Sequence, residues 1–403
     1  MIKYYKDLSD EQLSNLFYLL DKSNTHELYK MKQNFQIKLG KNLIEARSNV
    51  VHGLMMEEID FNFFYKWLCH IYLEANNTLY IFEPEKQNFF TNHKKRDIYK
   101  KFHSKCENLY NINVDTISSV ALVDVTEYET QLLFTFAAPS YVIKQKLNAD
   151  TPADIVKDIY LSYLVMDYET EQVILSMHPT NNLYSLNGIK KKKDMDPLAL
   201  QFINYFRNNI IDFSFSNPEW IIDALFDITE EYFDHNNPII SKKMNDFKEK
   251  GYLNTTIETI GKLEETFKNN PTRLRLEKAL MELYESQLIA KYGTIPKETP
   301  FKVFLNEADK GITSFKADSR GKALSFADSY EIVKKMMENA DIASLGITYV
   351  YNGREFPYKI VKEVAYYSLK RITTAATEKE TVDNVLRQLK QYKPRKKVRD
   401  ITG

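Results

Sequence analysis

The sequence predicts an α+β fold: an N-terminal antiparallel sheet with flanking helices, a central helical region and a small C-terminal α+β domain. Three observations carry this. Extended runs come in pairs joined by short polar turns, which makes antiparallel pairing the default. Between residues 196 and 293 the texture becomes helical. An Asn352-Gly353 pair then sits between two apolar runs, a strong local hairpin signal because both residues tolerate positive φ.

Ser9-Asp10-Glu11-Gln12 reads as a capping box that opens a helix through Phe17, Leu19 and Leu20. Lys41 to Glu58 suits a second helix. Phe61 to Glu74 fits helix by spacing and strand by aromatic content. Thr78 to Phe82 is expected as a strand, and Asp97 to Tyr110 as a basic amphipathic helix. Two strand pairs follow: Ser118 to Val125 with Thr130 to Phe136, and Ile159 to Met166 with Gln172 to Met177. Four helix starts are expected at Asp196-Pro197, Asn217-Pro218, Asn237-Pro238 and Asn270-Pro271. There an Asx side chain receives first-turn N–H groups and proline costs nothing. Gly293 is placed to end the fourth. Beyond a linker over Thr294 to Pro300, a helix over Ala327 to Asn339 is expected to precede the hairpin, and Pro357 to open a helix carrying Ile360, Val361, Val364 and Leu369. The expected domains are 1-180, 196-293 and 300-386, with a basic tail over 387-403.

The chain has 403 residues, 43% apolar and 13% aromatic, enough for sizeable cores. Lys+Arg and Asp+Glu both count 55, so no global field draws it to nucleic acid or an anionic membrane, and any such affinity is local. Only 11 of the 55 basic residues are Arg. With the abundance of Asn, Ile, Tyr and Phe, this points to AT-rich coding, as in low-GC bacteria, their phages and mobile elements. With 11 glycines there is no G-x-G-x-x-G and no G-x-x-x-x-G-K-[ST], which lowers the expectation of an ATPase or nicotinamide enzyme. Cys69 and Cys106 offer no C-x-x-C and are expected reduced and buried. The start carries three acids and no apolar segment, and Leu132 to Ile143 is too short to span a bilayer. A cytoplasmic chain without membrane association is expected.

Cationic clusters are the most suggestive chemistry. Arg387, Lys390, Lys393, Arg395, Lys396, Lys397 and Arg399 place seven positive charges in thirteen residues, a pattern that neutralises phosphates without reading sequence. A solvated, frayed terminus is the bland alternative. The helix, the hairpin and its Arg354 together resemble the helix-and-wing order of winged-helix domains, which implies a nucleic-acid contact at Arg354. A second cluster contains Lys94, Lys95, Arg96, Lys100, Lys101 and Lys105, with Arg96, Lys100 and His103 on one helix face. Lys190 to Lys193 are balanced locally by Asp194 and Asp196.

The routes to catalysis are fewer. His93, His103 and Cys106 lack a fourth ligand at zinc spacing, and Cys69-His70 reads as buried structure before it reads as a nucleophile. A metal-dependent nuclease, using Mg or Mn, would take Asp60, Glu83, Glu85 and Lys86, although Pro84 departs from the acid-x-lysine register. Asp124 and Glu127 are another acidic pair. Glu219, Asp223, Asp227, Glu230, Glu231 and Asp234 make one helix acidic, suited to a basic partner or to the tail. The expectation is therefore a binding protein that contacts nucleic acid, needs no cofactor and serves as a subunit of a defence or mobile-element complex. A nuclease and a protein-interaction scaffold with other protein subunits are the alternatives.

Overall fold

The computed structural model describes residues 5–35, 38, 40–144, 154–178, 180, 182–191, 195–234, 236–264, 270–293, 295, 298–309, 314–318, 341–373 and 378–393. It is an α+β protein with antiparallel strands. The chain divides into two compact units, residues 1–217 with 373–382, and residues 218–372 with 383–403.

The first unit opens with helices α1 (Asp10–Leu20), α2 (Thr25–Phe35), α3 (Leu43–Met55) and α4 (Phe61–Cys69). The capping box forms in full: Ser9 receives Gln12 N–H, and the Gln12 side chain receives Ser9 N–H. Aromatic spacing wins over aromatic content at 61–69, because Phe61, Phe64 and Leu68 at i, i+3 and i+7 bury one face of α4. Strand β1 (Thr78–Phe82) is followed by α5 (Phe89–Asn92) and α6 (Lys95–His103).

The remaining strands of this unit are β2 (Ala121–Glu127), β3 (Gln131–Ile143), β4 (Ile155–Asp167), β5 (Gln172–Met177), β6 (Leu183–Leu186) and β7 (Ile189–Lys190). Helix α7 (Asp196–Asn209) follows. Strand order runs β7-β6-β3-β4-β5-β1, with β2 also on β3. Both expected hairpins form, β2 with β3 placing Val125 opposite Phe134 and β4 with β5 placing Leu164 opposite Leu175. Strand β4 is buried on both faces: Tyr160 meets Phe202 of α7, while Tyr163, of opposite parity, receives the N–H of Tyr72. Phe134, Phe206, Phe213 and Phe215 interlock in edge-to-face pairs at 5.2–6.2 Å beneath α7.

The second unit begins with α8 (Trp220–Phe233), α9 (Pro238–Glu249), α10 (Tyr252–Leu263) and α11 (Asn270–Tyr292). Of the four expected Asx caps, Asn237 acts as one, receiving Ile239 N–H at 3.0 Å. Asp196 lies inside its helix, with Pro197 in the first turn, and α8 starts only after Pro218, with Glu219 at the cap position. Asn270 is likewise the first residue of α11. Proline at these starts fixes the local φ and tolerates the missing donor. Asn237 does more: its Nδ2 donates to the carbonyls of Tyr292 and Gly293, where α11 ends with Gly293 at φ +72°.

Next come β8 (Phe301–Asp309), β9 (Ser314–Asp318), β10 (Asp341–Tyr351), β11 (Arg354–Lys362) and β12 (Tyr367–Arg371), in the order β12-β11-β10-β8-β9, all antiparallel. Asn352 and Gly353, at φ +50° and +72°, make the expected two-residue turn. The helix expected from Pro357 is corrected to strand. Phe356, Tyr358 and Ile360 are buried alternately and face Tyr349, Ile347 and Leu345, so period two governs, and Leu369 belongs to β12. That removes the trailing helix. The helix expected over 327–339 lies outside the described residues, and the hairpin is two strands of a larger sheet. Helix α12 (Lys379–Gln391), unforeseen, buries Val382, Val385, Leu386 and Leu389. No helix among the described residues is long and apolar enough to cross a membrane.

Candidate nucleic-acid interface

Helix α6 is short, and its sequence fixes what it shows. Ile98 and Phe102, four residues apart, are the buried pair that seats it against β2 and β3. Lys95 anchors its first turn, donating to the carbonyls of Tyr128 and Glu129 at 2.5 Å each and lying 3.7 Å from Glu127. Asp97 in the first turn and Lys100, Lys101 and His103 in the last match the helix dipole. With Lys95, Ile98 and Phe102 committed, the remaining face turns outward.

Lys94, Arg96, Lys100, Lys101 and Lys105 are all exposed, and none forms an ion pair among the described residues. Beside them the rings of Tyr99 and His103 stack at 4.8 Å with a 23° tilt. Lys101 and Lys105 place their ammonium groups 5.0 and 5.6 Å from the ring of Phe102. The result is a strip of positive charge, broken by the exposed Asp97, with an aromatic pair on it. Arg96, Lys100 and His103 share a face as their spacing predicts.

The second unit carries the other cations. Arg354, exposed at the hairpin tip, lies 5.2 Å from the ring of Phe356. Of the tail, Arg387, Lys390 and Lys393 are described, and each interacts within the chain. Arg387 donates to Asn384 at 3.2 Å, and the Lys393 ammonium lies 5.2 Å from the Trp220 ring at the start of α8. Tyr392 donates its hydroxyl to Glu231 of the same helix. The acidic helix thus receives the beginning of the chain's own tail. Arg395, Lys396, Lys397 and Arg399 lie outside the described residues.

The carboxylates proposed for metal chemistry have separate occupations. Asp60 caps α4 by receiving Phe63 N–H at 2.8 Å. Glu83 is buried and receives the Gln172 amide at 3.3 Å, while Glu85 and Lys86 are exposed in a segment whose backbone pairs with residues 214–216. Among the described residues no group of three or more His, Cys, Asp or Glu is placed to hold a metal ion. Asp124 is buried 3.3 Å from His70 Nε2 and receives the Thr126 hydroxyl at 2.6 Å. Burial pushes its carboxyl up, but those two hydrogen bonds outweigh it and hold the group below its ordinary value. Cys69 is fully buried, which drives its thiol well up, and burial pushes Cys106 up to about 12. Both sulfurs therefore keep their protons. His93 is turned to the Phe89 carbonyl at 2.8 Å, away from any shared ligand set.

One cluster left no mark in the sequence. Lys22, Tyr72, Asp158, Tyr160, His178 and Thr180 bound a cavity of about 40 Å³ in the first unit. They come from four distant stretches of chain, which meet only where the turns after α1 and α4 pack on β4 and the end of β5. No protein-family model matches the chain, and no curated protein is similar to it at a significant level.

Proposed function

We propose that the protein binds nucleic acid, with α6 as the principal contact and Arg354 and the C-terminal segment as accessory ones. The observation that carries the reading is the strip Lys94, Arg96, Lys100, Lys101 and Lys105, exposed and free of ion pairs among the described residues. Cations without an internal carboxylate retain their full attraction for phosphates and release condensed counterions on contact. The stacked Tyr99 and His103 offer a surface on which an unpaired base can lie. Two free cysteines, Cys69 buried and Cys106 half-buried, and AT-rich composition accord with a cytoplasmic role in a low-GC bacterium or phage, as a subunit of a defence or mobile-element complex.

Fluorescence anisotropy with labelled single- and double-stranded oligonucleotides tests this. The wild-type chain is expected to bind at about 50 mM salt and to weaken by at least tenfold at about 200 mM. The double variant Arg96→Glu, Lys100→Glu is expected to lose roughly tenfold or more in affinity and to reduce the salt slope by about 2. A chain ending at Lys393 should keep most of the binding. Absence of wild-type binding at low salt, or an unchanged slope in the double variant, overturns the reading.

A further inference from the structure

We propose that Lys22 is an amine nucleophile that captures a small carbonyl compound as an imine inside the cavity bounded by Tyr72, Asp158, Tyr160, His178 and Thr180. This is independent of the nucleic-acid reading, and its cavity contains none of that reading's residues. The Lys22 side chain is only 16% exposed, and its Nζ donates to Asp158 Oδ1 and, at 2.8 Å, to the Ile159 carbonyl. Two of its three protons are therefore directed, and the side chain lines the cavity. Burial costs its charged form more than Asp158 returns, which lowers its basicity. Buried lysines so biased are the ones that react as amines near neutral pH.

The surroundings are fixed in place. Tyr72 donates its hydroxyl to the Lys22 carbonyl at 3.1 Å, and Tyr160 to the His178 carbonyl at 2.6 Å. The His178 imidazole stacks on Tyr72 at 5.2 Å with only 4° between the rings. Burial lowers its proton affinity, so it stays neutral and adds no competing charge. Tyr18 donates to Asp158 at 2.7 Å, holding that carboxylate against Lys22. The cavity of about 40 Å³ compares with roughly 10–15 Å³ for one water, so it admits a molecule of about three or four non-hydrogen atoms. A short aldehyde fits these dimensions.

The chemistry balances with groups present. The Lys22 ammonium passes one proton to Asp158. The neutral nitrogen then forms a bond to the carbonyl carbon, the C=O π pair moves to oxygen, and a nitrogen proton transfers to that oxygen, giving a carbinolamine. Asp158 returns its proton to the hydroxyl, the C–O bond breaks, water leaves and the nitrogen lone pair closes the C=N bond. The net change is ammonium plus carbonyl to iminium plus water, with Asp158 restored.

The full chain is incubated with acetaldehyde and cyanoborohydride near neutral pH, and alkylated lysines are located by peptide mass mapping. An ordinary lysine is neutral to about 0.1% under those conditions. Lys22 is expected to acquire an ethyl group roughly tenfold faster than the exposed Lys32 and Lys100, and to lose that lead when the chain is unfolded in guanidinium. The unfolding comparison uses the wild-type chain alone and stands even if Lys22→Arg fails to fold. Labelling of Lys22 at or below the rate of Lys32 in the folded protein overturns the proposal, as does a lead that survives unfolding.

Discussion

The Glu27 carboxylate lies 3.3 Å from the Lys30 ammonium, which sits 2.5 Å from Glu74: one cation is shared by two acids. Glu27 is the buried member, and desolvation outweighs Lys30, pushing its carboxyl up to about 7. Glu74 is further occupied by the Lys379 N–H at 3.2 Å, so Lys30 cannot turn wholly to Glu27.

The sign of the resulting pH dependence follows. In the unfolded chain Glu27 ionises near its ordinary value of about 4.3, and in the folded chain only near 7. Its contribution to stability is full below about pH 4.3 and is lost as pH rises through 7, on the order of 3 kcal/mol in all. Denaturant titrations of wild type and Glu27→Gln across that window check it. The variant should be the more stable at pH 8 and show a flatter profile. Parallel curves would refute the assignment.

Gly346 and Gly353 make opposite demands. A Cβ on Gly346 would come within 2.5 Å of Leu305 Cβ and of the Phe304 ring, whereas one on Gly353 meets nothing within 4 Å. Gly346→Ala is expected to cost about 2–3 kcal/mol by overpacking the β8–β10 pairing. Gly353→Ala should cost only the left-handed backbone penalty, about 1–2 kcal/mol. Thermal melts distinguish the two, and a larger loss at Gly353 would show that the close approach at Gly346 relaxes.

Asp60 separates capping from catalysis. Asp60→Ala should lower stability by about 1 kcal/mol, while Asp60→Asn, whose side chain also accepts Phe63 N–H, should be close to neutral. An activity that Asp60→Asn abolishes without loss of stability would give the carboxylate a chemical role beyond the cap.

The thiols offer a simple probe. With Cys69 enclosed and Cys106 titrating at about 12, Ellman's reagent at pH 8 is expected to find almost no thiolate until the chain unfolds, when both react. Rapid reaction of one equivalent in the folded protein would contradict the burial that raises them.

Features set by neighbours in sequence were legible. The Ser9 box, β1, both hairpins of the first unit and the Asn352-Gly353 turn each depend on a few consecutive side chains. At Pro357 the proline outweighed the alternation of Phe356, Tyr358 and Ile360, which was the better guide. In α12 the cations drew attention away from Val382, Val385, Leu386 and Leu389, whose i, i+3, i+4, i+7 spacing marks a helix. The charges of α6 could be read from the sequence, but their lack of carboxylate partners could not, since partners arrive from elsewhere in the chain. The same holds more strongly for Lys22, Asp158 and His178, where no local pattern exists to be read.

The grip of Asn237 on Tyr292 and Gly293 ties the first residue of the α9–α11 excursion to its last, and Asn236 N–H meets the Ile295 carbonyl at 2.9 Å just outside it. Departure and return points are thus neighbours. The three helices, with a small apolar centre of their own at Ile240, Leu288 and Ile289, are hung on the fold as a pendant loop is hung on a clasp. Because its two ends meet, the excursion is a place where the chain can be shortened and rejoined over a short gap, and its removal is expected to leave the strands of the second unit paired.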